Sequence, residues 1–313
     1  MNARRANARV ACLVLLLLAA ATAVCGPAFA PYDPALPSGP PLAPPGPGHL
    51  LGTNDVGQDV FSGWLWAGRA SLAVGAAVAL ISTALAWTVG IAAGLSRRAE
   101  WLLMPLADLL LALPPLPLYM LVVALAGPSQ TSLVLTLGLL SWPAFARVVR
   151  AEVLALRAQA FVEAARALGA GPWRIARTHL LPATLALLPA KLVVTVRLAL
   201  LGEATLAFLG LGDPTVNSWG TMLGWAFNDP LLFDRGAWAW WAGPPALSIA
   251  LAVLGTTWLA GRLGTAEAMG GWSVDRPVEE ASLPRGVGAD RVGEPRRDRA
   301  PTGLGAATSS PQG

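Results

Sequence analysis

Long apolar stretches alternate with short polar stretches along most of this chain. A bilayer core about 30 Å thick needs about 20 apolar residues per helix. Six stretches meet this requirement, and polar or proline-rich residues separate them. The predicted spans are 10–30, 70–95, 101–126, 132–149, 183–209 and 242–263. The pattern therefore predicts an all-α, polytopic membrane protein with six transmembrane helices.

The polar stretches divide the chain into three parts. Residues 1–69 contain the first span and a connection with eight prolines between positions 31 and 49, which prevent a regular helix. Residues 70–263 form a core of five spans with a polar loop at 150–182. Residues 264–313 are rich in Gly, Pro, Arg, Asp and Ser, so disorder is expected there.

Composition supports the membrane assignment. The chain is 55% hydrophobic and 13% charged, and its mean hydropathy is +0.56. These values lie well outside the usual range of a soluble domain. Both cysteines, Cys12 and Cys25, fall inside the first span, so neither a disulfide framework nor a metal site is predicted.

The basic residues predict the orientation, because Lys and Arg accumulate in short cytoplasmic loops. Only Arg69 and Arg235 fall on the predicted external side. The predicted cytoplasmic side carries Arg4, Arg5, Arg9, Arg97, Arg98, Arg150, Arg157, Arg166, Arg174, Arg177 and Arg262. Both termini are therefore expected in the cytoplasm. This bias and the basic tail account for the net charge of +4, so no nucleic-acid partner is needed.

The N-terminal segment has two interpretations. Basic residues, an apolar run from position 10 to 24 and the sequence Ala28-Phe29-Ala30 fit a cleaved signal peptide. The same residues fit a retained first span. The segment by itself leaves both interpretations open.

Two spans carry patterns that predict their packing. Small residues recur every four positions at Ser82, Ala86, Gly90 and Gly94, which would let another helix approach closely. The alternative is the general richness of membrane helices in small residues. In the next span, Pro114 and its neighbouring prolines should break or kink the helix. Because lipid does not tolerate exposed broken backbone, this span is predicted to lie inside the bundle.

A polar island at 163–182 interrupts the apolar pattern. Residues 164–168 favour a helix that Gly169 can end in the left-handed conformation. Gly171 and Pro172 favour the start of a second helix, expected to end before Pro182. Two short helices outside the membrane would form a docking element for a partner, or an ordinary solvated loop.

The island resembles the EAA loop of ABC importer permeases, which docks into the ATPase subunit. Glu163-Ala164-Ala165, Gly169 and Leu181-Pro182 match that loop, and His179 is typical of the dipeptide, oligopeptide and nickel branch. By this resemblance the coupling residues are Glu163, Ala164, Ala165, Gly169, Gly171, Pro172, Arg174, His179 and Pro182. Further segments resemble the same branch: Leu51-Gly52-Thr53, Gly57, Asp59, Arg69-Ser71-Leu72, Asp108, Pro114, Glu203-Ala204, Phe208 to Gly212, Trp219-Gly220 and Met222-Leu223.

The resemblance implies a type I ABC importer permease fold, a retained first span and a place in the bacterial inner membrane. The chain would form half of the translocation pathway for peptides or a related small solute, such as a nickel chelate. Its implied partners are a second homologous permease, two ATP-binding subunits and an extracytoplasmic solute-binding protein.

The chain itself is not expected to be an enzyme. Lys191 is the only lysine and follows Ala190, so no phosphate-binding loop of the G-x-x-x-x-G-K-[ST] type is present. No catalytic residue and no cofactor are assigned to this chain. ATP and Mg²⁺ would bind to the partner subunits.

The chain departs from the branch in its predicted external segment and its tail. Asn54 and Gln58 stand where the branch usually has Asp and Arg, and Gly63 replaces a frequent Arg. The usual acidic and basic sequence after the last span is also missing. These differences concern the external contacts and the tail, and they leave the docking loop intact.

Charges within spans are costly and are candidates for the translocation pathway. Asp108 has a hydrated position near the cytoplasmic interface as its alternative. Arg197 would face the pathway, suiting a solute carboxylate, or pair with an acid of the second permease. Glu203 is the third candidate, on a different helical face from Arg197. Glu163 would either cap its short helix or form a salt bridge with the ATPase.

Two other classes of function are alternatives: a self-sufficient transporter or channel, and an intramembrane enzyme. A self-sufficient secondary transporter or channel would use Asp108, Arg197 and Glu203 for ion coupling and would not need the two-helix loop. An intramembrane enzyme would need a nucleophile and a base on one side of the membrane. His49 and His179 are predicted on opposite sides, so they cannot share a metal or acid-base site.

Overall fold

A computed structural model describes residues 26–262. The first predicted span lies almost entirely outside this range, together with Cys12, Cys25 and the predicted tail at 264–313. Both interpretations of the N-terminal segment therefore stay predictions.

Between residues 26 and 262 the chain is mainly helical, and this range contains no β-strand. The predicted all-α class is confirmed. The helices are α1 (Val60–Leu95), α2 (Arg97–Ala112), α3 (Pro115–Ala126), α4 (Gln130–Leu140), α5 (Pro143–Arg157), α6 (Ala160–Ala167), α7 (Pro172–Leu211), α8 (Trp219–Asn228) and α9 (Gly243–Arg262).

Four helical segments of the described part are long and apolar enough to cross a membrane. They are Val60–Leu95, Gln130–Arg157, Pro172–Leu211 and Ala237–Ala260. The bent pair α2 and α3 adds a fifth. Five of the six predicted spans therefore have a counterpart here, and the sixth is the N-terminal segment outside the described range.

Helix α1 is the centre of the bundle and packs against α4, α5 and α7. Its small residues allow the close approach to α5. A Cβ atom added at Gly90 would lie 2.7 Å from Cβ of Val149, and one at Gly94 would lie 2.5 Å from Cγ1 of Val153. The predicted small-residue interface is confirmed.

The proline-containing span is broken, as predicted. Helix α2 ends at Ala112, Pro114 is extended, and α3 leaves at a bend of 97°. The predicted position inside the bundle is wrong for this chain. Only Ala107 and Val123 are buried in these two helices, because both pack on the bundle through one narrow side and leave their leucines exposed.

The helix that begins at Pro172 does not end before Pro182. It continues through two prolines into the span that follows, because the helix changes its winding ahead of each one. Residues Ala176–Leu180 form a wider turn, in which the Leu181 N–H donates to the Ala176 carbonyl five residues back. Residues Leu185–Leu187 form a tighter turn before Pro189. Such local changes of winding accommodate the missing proline donor.

The proline-rich connection folds into an ordered cap over the N-terminal end of α1, and we call residues 31–59 the proline-rich cap. Backbone bonds between Leu42 and Asn54 and between Ala43 and Thr53 close it. The side chain of Asn54 donates to Gln58 Oε1 at 2.8 Å. A neutral amide pair thus occupies the positions where the family resemblance implied an acid and a base.

A buried carboxylate joins the cap to α1. One oxygen of Asp59 accepts hydrogen bonds from the backbone N–H and the hydroxyl of Ser62, which caps the helix. The other oxygen lies 2.9 Å from Nδ1 of His49. The N-cap hydrogen bonds of Asp59 explain why α1 begins at Val60, ten residues before the predicted start of the span at residue 70.

Candidate functional site

The EAA-like loop, which we define as residues 160–182, lies at the opposite end of α1 from the cap. Helix α5 packs on Gly90 and Gly94 near the end of α1 and leads directly into α6. Because α1 has 36 residues, the two ends are separated by about 54 Å along its axis. The loop and the cap are therefore independent candidate sites.

The end of α6 has the hydrogen bonding that its sequence predicts. Gly169 has a φ of 82°, in the left-handed region. Its N–H donates to the Arg166 carbonyl at 2.9 Å, and the Ala170 N–H donates to the Ala165 carbonyl at 3.0 Å. This pair of bonds is the Schellman motif, which favours glycine at the left-handed position. The predicted role of Gly169 as a helix-ending turn residue is confirmed.

Glu163 lies in the first turn of α6, but it does not cap the helix with its side chain. Gln159 occupies the cap position, and no side-chain bond is made there. Within residues 26–262 the Glu163 carboxylate makes no hydrogen bond or ion pair and is exposed. Its charge still faces the positive end of the helix dipole favourably. The predicted salt bridge to an ATPase stays a prediction.

The second helix of the loop begins as predicted. Gly171 is the N-cap residue and Pro172 is the first helical residue, where its missing N–H is not needed. Gly171 has an ordinary φ of −68°, in contrast to Gly169. His179 is half-buried, and its ring lies 5.9 Å from the ring of Phe161 on α6. The loop is thus a pair of helices in side-chain contact.

One side of the loop is anchored in the core. Val162, Ile175 and Leu180 are buried and belong to the same apolar cluster as Val149 and Val153 of α5. Ala165 packs against this cluster from its edge. Close-packed apolar contacts of this kind hold the loop against α5.

The other side of the loop exposes large apolar side chains. Leu168 is 88% exposed and Trp173 is 77% exposed, and Phe161 of the same loop is also exposed. We call these three residues the docking face. Exposed arginines neighbour it along the chain, and within the described residues none of them forms a salt bridge; they are Arg166, Arg174 and Arg177. An apolar patch with a charged rim is typical of a protein interface.

Leu168 and Trp173 were not among the site residues predicted from the sequence. The signal was present, since both are large apolar residues within an otherwise polar island. Periodicity could not separate them from the anchoring residues Ile175 and Leu180, because the chain turns at Gly169 between the two helices.

Asp108 forms an ion pair with Arg147 of α5, and both side chains are about half exposed. Next to this pair, Glu100 of α2 forms an ion pair with Arg150. The arrangement supports the alternative of a hydrated position for Asp108. Arg147 was not predicted as its partner, since the broken span separates the two helices.

Arg197 donates a hydrogen bond to Thr257 Oγ1 of α9 at 3.2 Å. Glu203 is buried and accepts a hydrogen bond from the Ser71 hydroxyl of α1 at 3.1 Å. Ser71 in turn accepts the N–H of Trp219, the first residue of α8. Glu203 is therefore linked to the start of α8 through the Ser71 hydroxyl.

The structure does not gather the three pathway candidates into one site. Asp108 contacts α5, Arg197 contacts α9, and Glu203 contacts α1. It also shows a buried charge that was not predicted as a site. Lys191 donates to Ser82 Oγ at 2.9 Å and lies 5.1 Å above the Phe145 ring, so α1, α5 and α7 meet there.

The described residues form a two-helix loop anchored on a bundle whose long helices are apolar enough to cross a membrane, so the chain is of the integral membrane class. Residues 86–266 match the family described as "Binding-protein-dependent transport system inner membrane component". This chain belongs to that family and is a permease component of an ABC transporter.

Curated relatives cover most of the chain. A Brucella suis protein named as a peptide transport system permease is 38% identical over 240 residues, 76% of this chain and 79% of the relative. A Brucella abortus protein with the same kind of name is 38% identical over 231 residues, 73% of this chain and 76% of the relative. The glutathione transport system permease protein GsiD of Pectobacterium atrosepticum is 33% identical over 259 residues, 80% and 83% of the two chains.

Proposed function

We propose that this chain forms half of the translocation pathway of an ATP-driven importer and couples to ATP-binding subunits through residues 163–182. The docking face carries this proposal. Leu168 and Trp173 are exposed at the tip of a loop whose other side is fixed in the core. A soluble partner with an apolar cleft would bury them and stabilise the complex by the hydrophobic effect.

The orientation follows from the distribution of arginines and belongs to the proposal. The loop and both termini would lie in the cytoplasm, and the proline-rich cap would face the outside of the bacterial inner membrane. ATP and Mg²⁺ would bind to two partner subunits. A second homologous permease would complete the pathway, and an extracytoplasmic binding protein would deliver the solute.

The proposed mechanism is mechanical. Closure of the ATP-binding subunits on ATP would move the docking face, and the anchors Val162, Ile175 and Leu180 would transmit that movement to α5 and α7. Helix α7 runs from Pro172 to a kink at Gly210, where φ is 81°. A tilt at its loop end would therefore reach the other end of the bundle and change the access to the pathway.

The solute class is proposed from the relatives. Their names refer to peptide and glutathione transport, so we propose a small peptide or a related solute as cargo. A nickel chelate is the alternative within the same branch. A self-sufficient secondary transporter is less well supported, because Asp108, Arg197 and Glu203 contact three different helices.

Two glycines of the loop test the coupling role. A Cβ atom added at either Gly169 or Gly171 would lie in open space, but only Gly169 has a positive φ. Gly169→Val should cost about 1–2 kcal/mol in this conformation and displace the docking face. Gly171→Val keeps an allowed backbone and is the matched control.

Each variant would be coexpressed with its cognate ATP-binding subunits, and the complex would be purified through a tag on this chain. We expect Gly169→Val to reach the membrane normally but to lose the ATP-binding subunits and solute uptake. Gly171→Val should retain most of both. Normal uptake by Gly169→Val would contradict the proposed coupling.

A further inference from the structure

A cavity of about 1020 Å³ lies between the proline-rich cap, the first turns of α1 and the loop that follows α7. This volume is at the upper end of the range of small-molecule sites, about 300–1000 Å³. Its walls combine charged, amide and aromatic side chains. Those that matter here are Asp33, Gln58, Trp66, Arg69, Gln130 and Trp225.

Arg69 is a positive charge in this cavity without an acidic partner. Within residues 26–262 the acidic side chains in contact with a basic one are Asp59 with His49, Asp108 with Arg147, and Glu100 with Arg150. The guanidinium of Arg69 instead lies 5.9 Å from the centre of the Trp66 ring. A cation held against an aromatic face keeps its hydrogen-bond donors free, and the guanidinium fork matches a carboxylate.

A carboxylate also lines the cavity. One oxygen of Asp33 accepts the Ala35 N–H at 2.9 Å, and this bond fixes the turn that carries Asp33. Asp33 and Arg69 line the same cavity, and no ion pair joins them. A wall with one unpaired cation and one unpaired anion fits a solute that carries both charges.

Ala73, in the cavity wall, belongs to an exposed stripe of α1. Below Arg69 the stripe contains Ala73, Ala76, Leu80, Ala84 and Thr88, at intervals of three or four residues along one helix face. None of these residues is charged. Arg69 is therefore the last charge on this face before an uncharged surface that runs along the helix.

We infer that this cavity binds the carboxylate of a small zwitterionic solute through Arg69, backed by Trp66, with Asp33 facing the solute ammonium. The inference rests on the proposed transport function and names a binding residue for it. The solute would be held at the head of the α1 stripe before it passes along the bundle.

Protection of a cysteine tests this site directly. Ala73→Cys, which lies in the cavity wall, would be introduced after Cys12 and Cys25 are replaced by alanine. The purified complex in nanodiscs would be treated with a charged thiol reagent in the presence of trialanine or of trialanine amide. These probes differ only in the C-terminal carboxylate.

Trialanine is expected to slow the labelling of Cys at position 73, and the amide should need a roughly tenfold higher concentration for equal protection. That factor corresponds to the loss of one hydrogen bond to a charged group. Arg69→Met should remove the difference between the two probes, and Arg69→Lys should restore part of it. Arg235→Met, at an exposed arginine outside the cavity, should leave the difference unchanged.

Equal protection by both probes in the Arg69 protein would overturn the inference, and so would an absence of protection. An unchanged difference in Arg69→Met would also overturn it. The copurification of ATP-binding subunits is measured on the same samples. If the ATP-binding subunits did not copurify, the proposed function would be contradicted. If they copurified and both probes protected equally, only the carboxylate site would be contradicted.

Discussion

The proline-rich cap and the EAA-like loop differ in the burial and pairing of their polar and apolar side chains. In the cap, Asp59, Thr53 and Asn54 are buried and hydrogen-bonded within the chain. In the loop, Glu163 and the arginines are exposed without an ion pair among the described residues, and Leu168 and Trp173 face outwards. The polar groups of the cap are thus hydrogen-bonded within the chain, while the loop exposes charged and apolar groups that a partner could contact.

The difference shows how exposure can be used to recognise a working surface in a membrane protein. Exposed leucines on α2 and α3 are compatible with lipid and indicate little by themselves. The same exposure at Leu168 and Trp173 occurs beside unpaired charges, where lipid chains would be a poor environment. Such a combination indicates a protein partner.

The largest expected effect is in the cap. Asp59→Ala removes the N-cap of α1 and leaves His49 without its hydrogen-bond partner, so we expect a loss of about 2–5 kcal/mol in the free energy of unfolding. Thermal unfolding of the purified protein in detergent measures this loss. Asp33→Ala, at an exposed turn, should change stability by no more than about 0.5 kcal/mol. Similar losses in both variants would show that the cap is not held by Asp59.

A second pair of substitutions separates the two sides of the loop. Leu180→Ala empties a buried position and should cost about 2–4 kcal/mol. Leu168→Ala, at an exposed leucine 12 residues earlier, should change stability by less than about 0.5 kcal/mol. The same unfolding assay compares them. A large loss of stability in Leu168→Ala would contradict the assignment of its side chain to the surface.

Two glycine substitutions test the packing of α1 against α5. Gly94→Ala places a Cβ 2.5 Å from Val153 Cγ1 and should cost about 1–3 kcal/mol through overpacking. Gly255→Ala, on α9, has open space and should leave stability equal or raise it slightly, by about 0.5 kcal/mol. A tolerated Gly94→Ala would mean that α1 and α5 can separate without loss.

The smallest expected effect is the pH dependence of stability that comes from Asp213, which lies in the loop after α7. The hydrogen bond from the Thr215 hydroxyl holds the pKa of Asp213 below its ordinary value of 3.8. A lowered folded-state pKa stabilises the fold above the unfolded value, and this contribution disappears as the pH falls through the folded value. Thr215→Val should therefore unfold at slightly lower temperature than wild type at pH 6, and the difference should shrink below pH 3.8. A difference that grows on acidification would have the wrong sign.

The sequence predicted the helical class, the spans of the described part and the turn at Gly169, because each depends on local pattern. Hydropathy determines the spans, and a glycine before a new helix start determines the turn. Helix α7 was predicted to end too early, since Pro182 has the same appearance whether a helix ends or changes its winding there.

The features that the sequence did not predict correctly, or did not predict at all, involve contacts between distant segments. The ion pair of Asp108 with Arg147 joins α2 to α5 across 39 residues of sequence, so it depends on how the chain folds back. The exposed position of α2 and α3 depends on the packing of the whole bundle. Neither can be obtained from the periodicity of a single segment.

Two tryptophans with nearly equal exposure offer the most direct test of the docking face. Trp173 on the loop is 77% exposed, and Trp101 at the start of α2 is 79% exposed. Trp173→Ala removes a large side chain from the docking face, whereas Trp101→Ala removes one of the same size elsewhere at the same end of the bundle.

The measurement is the amount of ATP-binding subunit that copurifies with each variant from nanodisc-reconstituted complex, relative to wild type. We expect Trp173→Ala to lose at least about tenfold in affinity for that subunit, as is usual for a central interface tryptophan. Trp101→Ala should bind as wild type does. Equal retention of the ATP-binding subunit by both variants would contradict the docking role of the EAA-like loop.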